Sequence, residues 1–189
     1  MIPIEKFIGR LGSQAFYFAW IRMWCLDHGY DFERLHSTDE FREMLSRHGP
    51  LIRSLYGTGI PPRTDHVAVS VRRGDYVGVY VGIFVDLFAQ GYYERAMAKF
   101  PGRRFLVFSD DIPWCRQQAV FAGCEFWDQI DPVTDMNRMA ACSDFIVANS
   151  GFSWWGAWLG TNPNKRVVCP VRYEYERAET CMLPEWERA

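Results

Sequence analysis

The chain has 189 residues, 49% of them hydrophobic, and a formal net charge of -2. That suffices for one ordinary domain with a sizeable core, with a small appendage besides. A near-neutral balance gives no electrostatic reason to expect nucleic acid or an acidic lipid surface as partner, and no apolar run reaches the length of a membrane span.

In chain order, Pro3–Ile8 reads as a first strand, too short and too charged for the apolar core of a secretory signal. A cytoplasmic location without stable membrane insertion is therefore expected. Gly9–Ser13 is a glycine turn, and Gln14–His28 carries apolar residues at helical spacing. Ser37-Thr-Asp-Glu40 is a capping-box pattern opening a second helix to about His48. Gly57–Thr64, with Pro61 and Pro62, is the clearest linker. His66–Val71 is an apolar strand running into Arg72-Arg-Gly-Asp75. Gly74–Gln90 is a long loop in which Val77–Phe88 is apolar enough for a short strand, and loops of this length often serve binding. Helix Gly91–Phe100, strand Arg104–Phe108, helix Ile112–Phe121 and short strand Glu125–Trp127 follow. Helix Asp135–Cys142, strand Asp144–Ala148, helix Ser153–Leu159 and strand Arg166–Cys169 complete the alternation. Alternating strands and helices predict an α/β fold with a parallel, doubly wound, Rossmann-like sheet.

Three of these strands end in polar or charged tips: Arg72–Asp75, Ser109-Asp-Asp111 and Asn149–Ser153. Ligands of open α/β sheets bind outside the carboxyl ends of the strands, so three such tips suggest one composite site. Two arginines at the mouth of a buried strand are costly unless an anion or a carboxylate meets them. A surface turn with an Arg–Asp pair is the simpler alternative. The six cysteines form no C-x-x-C pair and the four histidines are scattered, so reduced thiols and no metal site are expected.

Four ordered segments carry a family resemblance. They are Val69-Ser-Val-Arg-Arg-Gly-Asp-Tyr-Val77, Phe105-Leu-Val-Phe-Ser-Asp-Asp111 with Trp114-Cys115, Ile146-Val-Ala-Asn-Ser-Gly-Phe-Ser-Trp-Trp-Gly-Ala-Trp-Leu159, and Ile8-Gly-Arg-Leu-Gly-Ser-Gln14 with Phe16. With Leu183-Pro-Glu-Trp186 at the end, the chain resembles the bacterial α-1,2-fucosyltransferases, glycosyltransferase family 11. The resemblance implies transfer of L-fucose from GDP-L-fucose to a sugar hydroxyl, the 2-OH of a galactoside, with inversion at the anomeric carbon and without a metal or other cofactor. Its partners would be a nucleotide sugar and a carbohydrate acceptor.

The resemblance also suggests roles. Arg72 matches the arginine that contacts the β-phosphate, where a guanidinium fork binds two oxygens and keeps its charge. Arg73 either assists or pairs with Asp75. Ser150, Phe152 and Ser153 lie where a helix entrance offers N–H groups and hydroxyls to phosphate, and Ser153 equally fits a helix cap. Trp154, Trp155 and Trp158 read as core rather than sugar platforms. Asp135 either accepts the guanine edge or is a helix-start acid favoured by the dipole. Ser109-Asp110-Asp111 reads as helix capping. Gly12, Ser13 and Gln14 form a possible donor or acceptor loop.

Two residues depart from the family pattern: Ser70 replaces a histidine and Ser13 an asparagine, and serine reaches less far. No general base stands out among Asp75, Asp86 and Glu94. Family members have a larger N-terminal half, so residues 1–65 are expected to form a reduced α/β lobe beside a donor-binding domain at 66–189, related to half of a GT-B-like enzyme. Acceptor recognition would then be minimal or shared in a homo-oligomer. A non-catalytic GDP-sugar-binding protein and an oligosaccharide-binding module remain alternatives.

Overall fold

The computed structural model describes residues 59–128, 130–175 and 182–189, with isolated positions 46, 49, 50, 53, 54 and 57 before them. The chain divides into two compact units, Met1–Thr58 and Gly59–Ala189. The expected first strand, the two helices up to His48, and Gly12, Ser13 and Gln14 lie outside the described residues.

The second unit is built on a six-stranded sheet of β1 (Val67–Val71), β2 (Phe105–Ser109), β3 (Glu125–Phe126), β4 (Asp144–Ile146), β5 (Val167–Cys169) and β6 (Glu187–Arg188). The order is β3-β2-β1-β4-β5-β6, and every pairing is parallel. The predicted parallel Rossmann-like sheet is what forms. Beyond the sequence expectation, the order reverses direction between β1 and β4. That switch point is where sheets of this order open a crevice for ligands.

The core strand β1 is buried at all five positions, as a Val-Ala-Val-Ser-Val run covered on both faces should be. Val67, Val69 and Val71 join Val107, Ile146 and Val168 on one face. Helix α1 (Tyr92–Met97) covers it with Tyr92, Tyr93 and Ala96, and Phe121 packs edge-on to Tyr93 with centroids 5.5 Å apart. The α1 tyrosines also tie strand tips together. Tyr92 donates to the carbonyls of Val147 at 2.7 Å and Val168 at 3.1 Å, and Tyr93 donates to that of Ser70 at 3.2 Å. Burial pushes both phenols well up, so they stay protonated donors.

Helices α3 (Pro132–Ala140) and α4 (Gly151–Leu159) pack together on the opposite face. Glycine permits two close approaches there. A Cβ on Gly156 would collide with Met139 of α3, and one on Gly160 would lie 2.6 Å from the Phe145 ring of β4. Trp154, Trp155 and Trp158 are buried, and Trp154 meets Trp186 at 5.5 Å. They are core, and they hold the segment that delivers β6.

Several boundaries differ from the sequence expectation: helix α1 is shorter than Gly91–Phe100, β4 ends at Ile146 rather than Ala148, the strand within Val77–Phe88 is reduced to an isolated bridge at Phe84, and three helix boundaries shift for local reasons. The helix expected over Ile112–Phe121 is α2 (Ile112–Cys115) plus a 3-10 turn at Ala119–Phe121, with Gln118 extended between them. The break turns Phe121 into the core. Helix α3 starts three residues early because Asp131 accepts from the Val133 and Thr134 N–H groups and Pro132 takes the first helical position. Helix α4 starts at Gly151, with Ser150 at its N-cap.

Candidate active site

Arg72 leaves β1 at the switch point, where its guanidinium meets two carboxylates. One Nη lies 2.6 Å from Asp75 Oδ1, and the other lies 2.8 Å from Asp110 Oδ2 at the tip of neighbouring β2. The Asp110 contact is close enough for an ion pair, but among the described residues Asp110 Oδ2 and Arg72 Nε are both buried without a hydrogen-bonding partner. A buried polar atom left without a hydrogen bond calls for a reason, and room for a further partner at this tip is one. Asp110 Oδ1 meanwhile accepts the Arg73 backbone N–H at 2.9 Å. A Cβ on Gly74 would collide with Asp110 Oδ2, so the glycine of this tip makes room for the carboxylate.

Tyr76 connects the β1 tip to the β4 tip. Its hydroxyl donates to the Asn149 carbonyl at 2.8 Å, its ring stacks on Phe84 at 3.9 Å, and the Arg72 guanidinium lies 5.3 Å from its centroid. Desolvation outweighs the nearby arginine and pushes the phenol up to about 12, so it remains a donor at neutral pH. Asn149 is buried, and its amide donates to the carbonyls of Val85 and Tyr173, each at 3.0 Å. One residue thus fastens the long loop after β1 and the loop after β5 to the entrance of α4.

Of the two roles expected for Arg73, the pairing with Asp75 does not form. Asp75 pairs with Arg72, while Arg73 lies over Trp114 with its guanidinium carbon 3.4 Å from the ring centroid and its Nε 3.8 Å from Asp111. That geometry is a cation–π contact. Only half of the expected Ser109-Asp110-Asp111 capping role holds. Asp111 caps α2 by accepting the Trp114 N–H at 3.1 Å, and Asp110 braces the arginine tip instead.

The α4 entrance also needs a correction. Ser153 is fully buried, and its hydroxyl donates back to the carbonyls of Ala148 at 3.1 Å and Ser150 at 3.0 Å. It is neither the N-cap nor a hydroxyl turned to a ligand, because a serine one turn into a helix satisfies itself on preceding carbonyls. Ser150 is the buried N-cap and Phe152 is half-buried. Ser70 is buried in β1, in register with Phe108. Asp135 stands on α3 with both hydrogen bonds on Oδ1, from Trp127 Nε1 at 2.9 Å and from the Ile130 N–H at 3.1 Å. The capping acid of that helix is Asp131.

The structure therefore gathers Arg72, Asp75, Arg73 and the 149–153 segment at one sheet edge. Sequence reasoning placed Asp110 and Asn149 at two of the three tips without the bracing roles of their side chains, and it missed Tyr76. Their signal was a shared one: each sits within five residues of a strand's C-terminal end. The four described cysteines, Cys115, Cys124, Cys142 and Cys169, are free thiols, and Cys115 lies beside the β2 tip, where Ser109, Arg73, Asp110 and Asp111 act on it.

The family model "Glycosyl transferase family 11" matches residues 13–188, nearly the whole chain and every element of the site. The chain belongs to glycosyl transferase family 11. Among family relatives, an alpha-1,2-colitosyltransferase of Escherichia coli is 35% identical over 61% of this chain and 43% of its own length. The O-antigen biosynthesis glycosyltransferase WbnK of Escherichia coli is 31% identical over 63% of this chain and 42% of its own. The galactoside 2-alpha-L-fucosyltransferase Sec1 of Mus musculus is 32% identical over 71% of this chain and 40% of its own. The chain thus spans less than half the length of these family members. No solved structure matches. Among the described residues, no helix is long and apolar enough to cross a membrane.

Proposed function

We propose that this family 11 chain is an inverting glycosyltransferase that moves L-fucose from GDP-L-fucose to a sugar hydroxyl, the 2-OH of a galactoside. The observation that carries the reading is Arg72 at the switch point, joined through Tyr76 to the carbonyl that opens α4. In the proposed reaction the acceptor oxygen attacks the anomeric carbon from the face opposite the diphosphate. The new C–O bond forms as the bond to the β-phosphate oxygen breaks. The electron pair leaves on that oxygen, and the acceptor hydroxyl's proton is released to solvent. Arg72 meets the developing negative charge with a fork that does not titrate away. The reading assigns no metal to this step.

The test is an array of GDP-, ADP- and UDP-sugar donors, with fucosyl and colitosyl donors among them, against galactoside acceptors. Fucosyl transfer from the GDP donor is expected, and Arg72→Ala should lower it on the order of 100- to 1,000-fold. Transfer from ADP or UDP donors alone would refute the donor assignment. GDP binding without transfer to any acceptor would leave a sugar-nucleotide-binding protein.

A further inference from the structure

Arg72 and Arg73 face three carboxylates, Asp75, Asp110 and Asp111, so the tip carries more negative than positive charge. A diphosphate adds further negative charge, and like charges held close in a partly buried site repel strongly. One carboxylate must therefore give way when the anion arrives. We propose that the two carboxylates on Arg72 divide the work: Asp110 is a permanent positioning residue, and Asp75 is the partner that the diphosphate displaces. This inference rests on the reading that Arg72 receives a diphosphate.

Their surroundings separate the two. The Asp110 side chain is 5% exposed against 24% for Asp75. Asp110 stands on the end of a central strand and holds two groups at once, the Arg72 guanidinium and the Arg73 N–H. Its place is fitted, since Gly74 has no Cβ to fill it. Asp75 belongs to a three-residue 3-10 turn, Gly74–Tyr76, and its hydrogen bond to Arg72 spans only three positions. Swinging Asp75 away breaks one local ion pair. Moving Asp110 would release an arginine and a backbone N–H together. Each oxygen that leaves Arg72 with Asp75 can be replaced by a phosphate oxygen of the same charge and hydrogen-bonding type. Asp110 meanwhile fixes the guanidinium plane.

The experiment is calorimetric titration of the full chain with GDP, paired with donor KM and kcat, for wild type, Asp75→Asn and Asp110→Asn. Asp75→Asn removes the competing charge and should tighten GDP binding about 5-fold, the scale of one partly exposed ion pair. It should lower the donor KM in step. Asp110→Asn keeps an oxygen for the Arg73 N–H but loses the charge. It should weaken GDP binding about 10-fold or more and raise the donor KM as well as lower kcat. A purely structural Asp110 would reduce the active fraction, lowering apparent kcat with KM and GDP affinity unchanged. Gly74→Ala, whose methyl would push Asp110 off Arg72, should repeat the Asp110→Asn result and serves if that variant does not fold. Weaker GDP binding by Asp75→Asn overturns the inference, as does unchanged affinity in a folded Asp110→Asn. Wild-type protein that ignores GDP overturns the diphosphate reading itself.

Discussion

Replacing Asn149 by alanine should loosen the rim of the site more than it disturbs the sheet, and the contacts set the size of the effect. The amide donates to two carbonyls at 3.0 Å from a fully buried position. Tyr173 keeps a second donor, the Val85 N–H at 3.2 Å, so its carbonyl loses about 0.5–1 kcal/mol. Among the described residues the Val85 carbonyl has only the Asn149 amide, and losing it costs roughly 1–2 kcal/mol. Together this is about 2 kcal/mol, or a fall of roughly 6–12 °C in Tm for a unit of this size. Asn149→Asp should be worse than alanine, because it turns a carboxylate oxygen toward two carbonyl oxygens. Guanidinium unfolding followed by circular dichroism and tryptophan fluorescence would measure both variants. A change of less than about 0.5 kcal/mol for Asn149→Ala, or an aspartate variant more stable than the alanine one, would refute the claim that this side chain fastens two loops.

Three further outcomes are expected. Gly156→Ala should destabilise the chain by about 1–3 kcal/mol through overpacking on Met139, and Met139→Ala in the same chain should recover part of it, as read from thermal melts. Burial pushes the Cys124 thiol up to about 11, the Cys142 thiol up to about 12 and the Tyr76 phenol up to about 12. Each is neutral when folded, so the folded chain holds more protons than the unfolded one above their ordinary values of 9.0 and 10.0. Stability attributable to these groups should therefore be full below pH about 9 and decline toward pH about 12, and Cys142→Ala should flatten that decline in pH-dependent unfolding. Dialysis against a chelator should leave fucosyl transfer intact, and strict recovery by manganese or magnesium would remove the metal-free reading.

Periodicity made most of the sheet legible. Val-Ala-Val-Ser-Val and Phe-Leu-Val-Phe are short runs rich in β-branched or aromatic residues and bounded by polar tips, as a doubly covered strand is, and both fall within a residue of their expected bounds. Strand β6 was not legible, because two residues, Glu187 and Arg188, carry no period, and Trp186 beside them packs on Trp154. Asp131-Pro132, a cap followed by proline, marks the start of α3 more directly than the later acid Asp135. Site membership was legible where it is local: Arg72, Gly74 and Asp75 share one tip. The bracing role of Asp110 was not, since two adjacent aspartates fit a cap equally well and the choice between them depends on Arg73, 37 positions away. Ser153 misled for a similar reason. A hydroxyl at a helix start suits an anion, a cap or a preceding carbonyl, and burial selects the last.

The stacking of Arg73 on Trp114 makes that indole an optical gauge of its own binding edge. Indole emission shifts with the electric field across the ring, and the Arg73 cation 3.4 Å from the ring centroid contributes to that field. Any occupant that draws the guanidinium toward itself would change the colour and yield of Trp114. Subtracting the spectrum of Trp114→Phe would isolate that signal from the other indoles, and stopped-flow mixing could then follow occupancy in real time without a label.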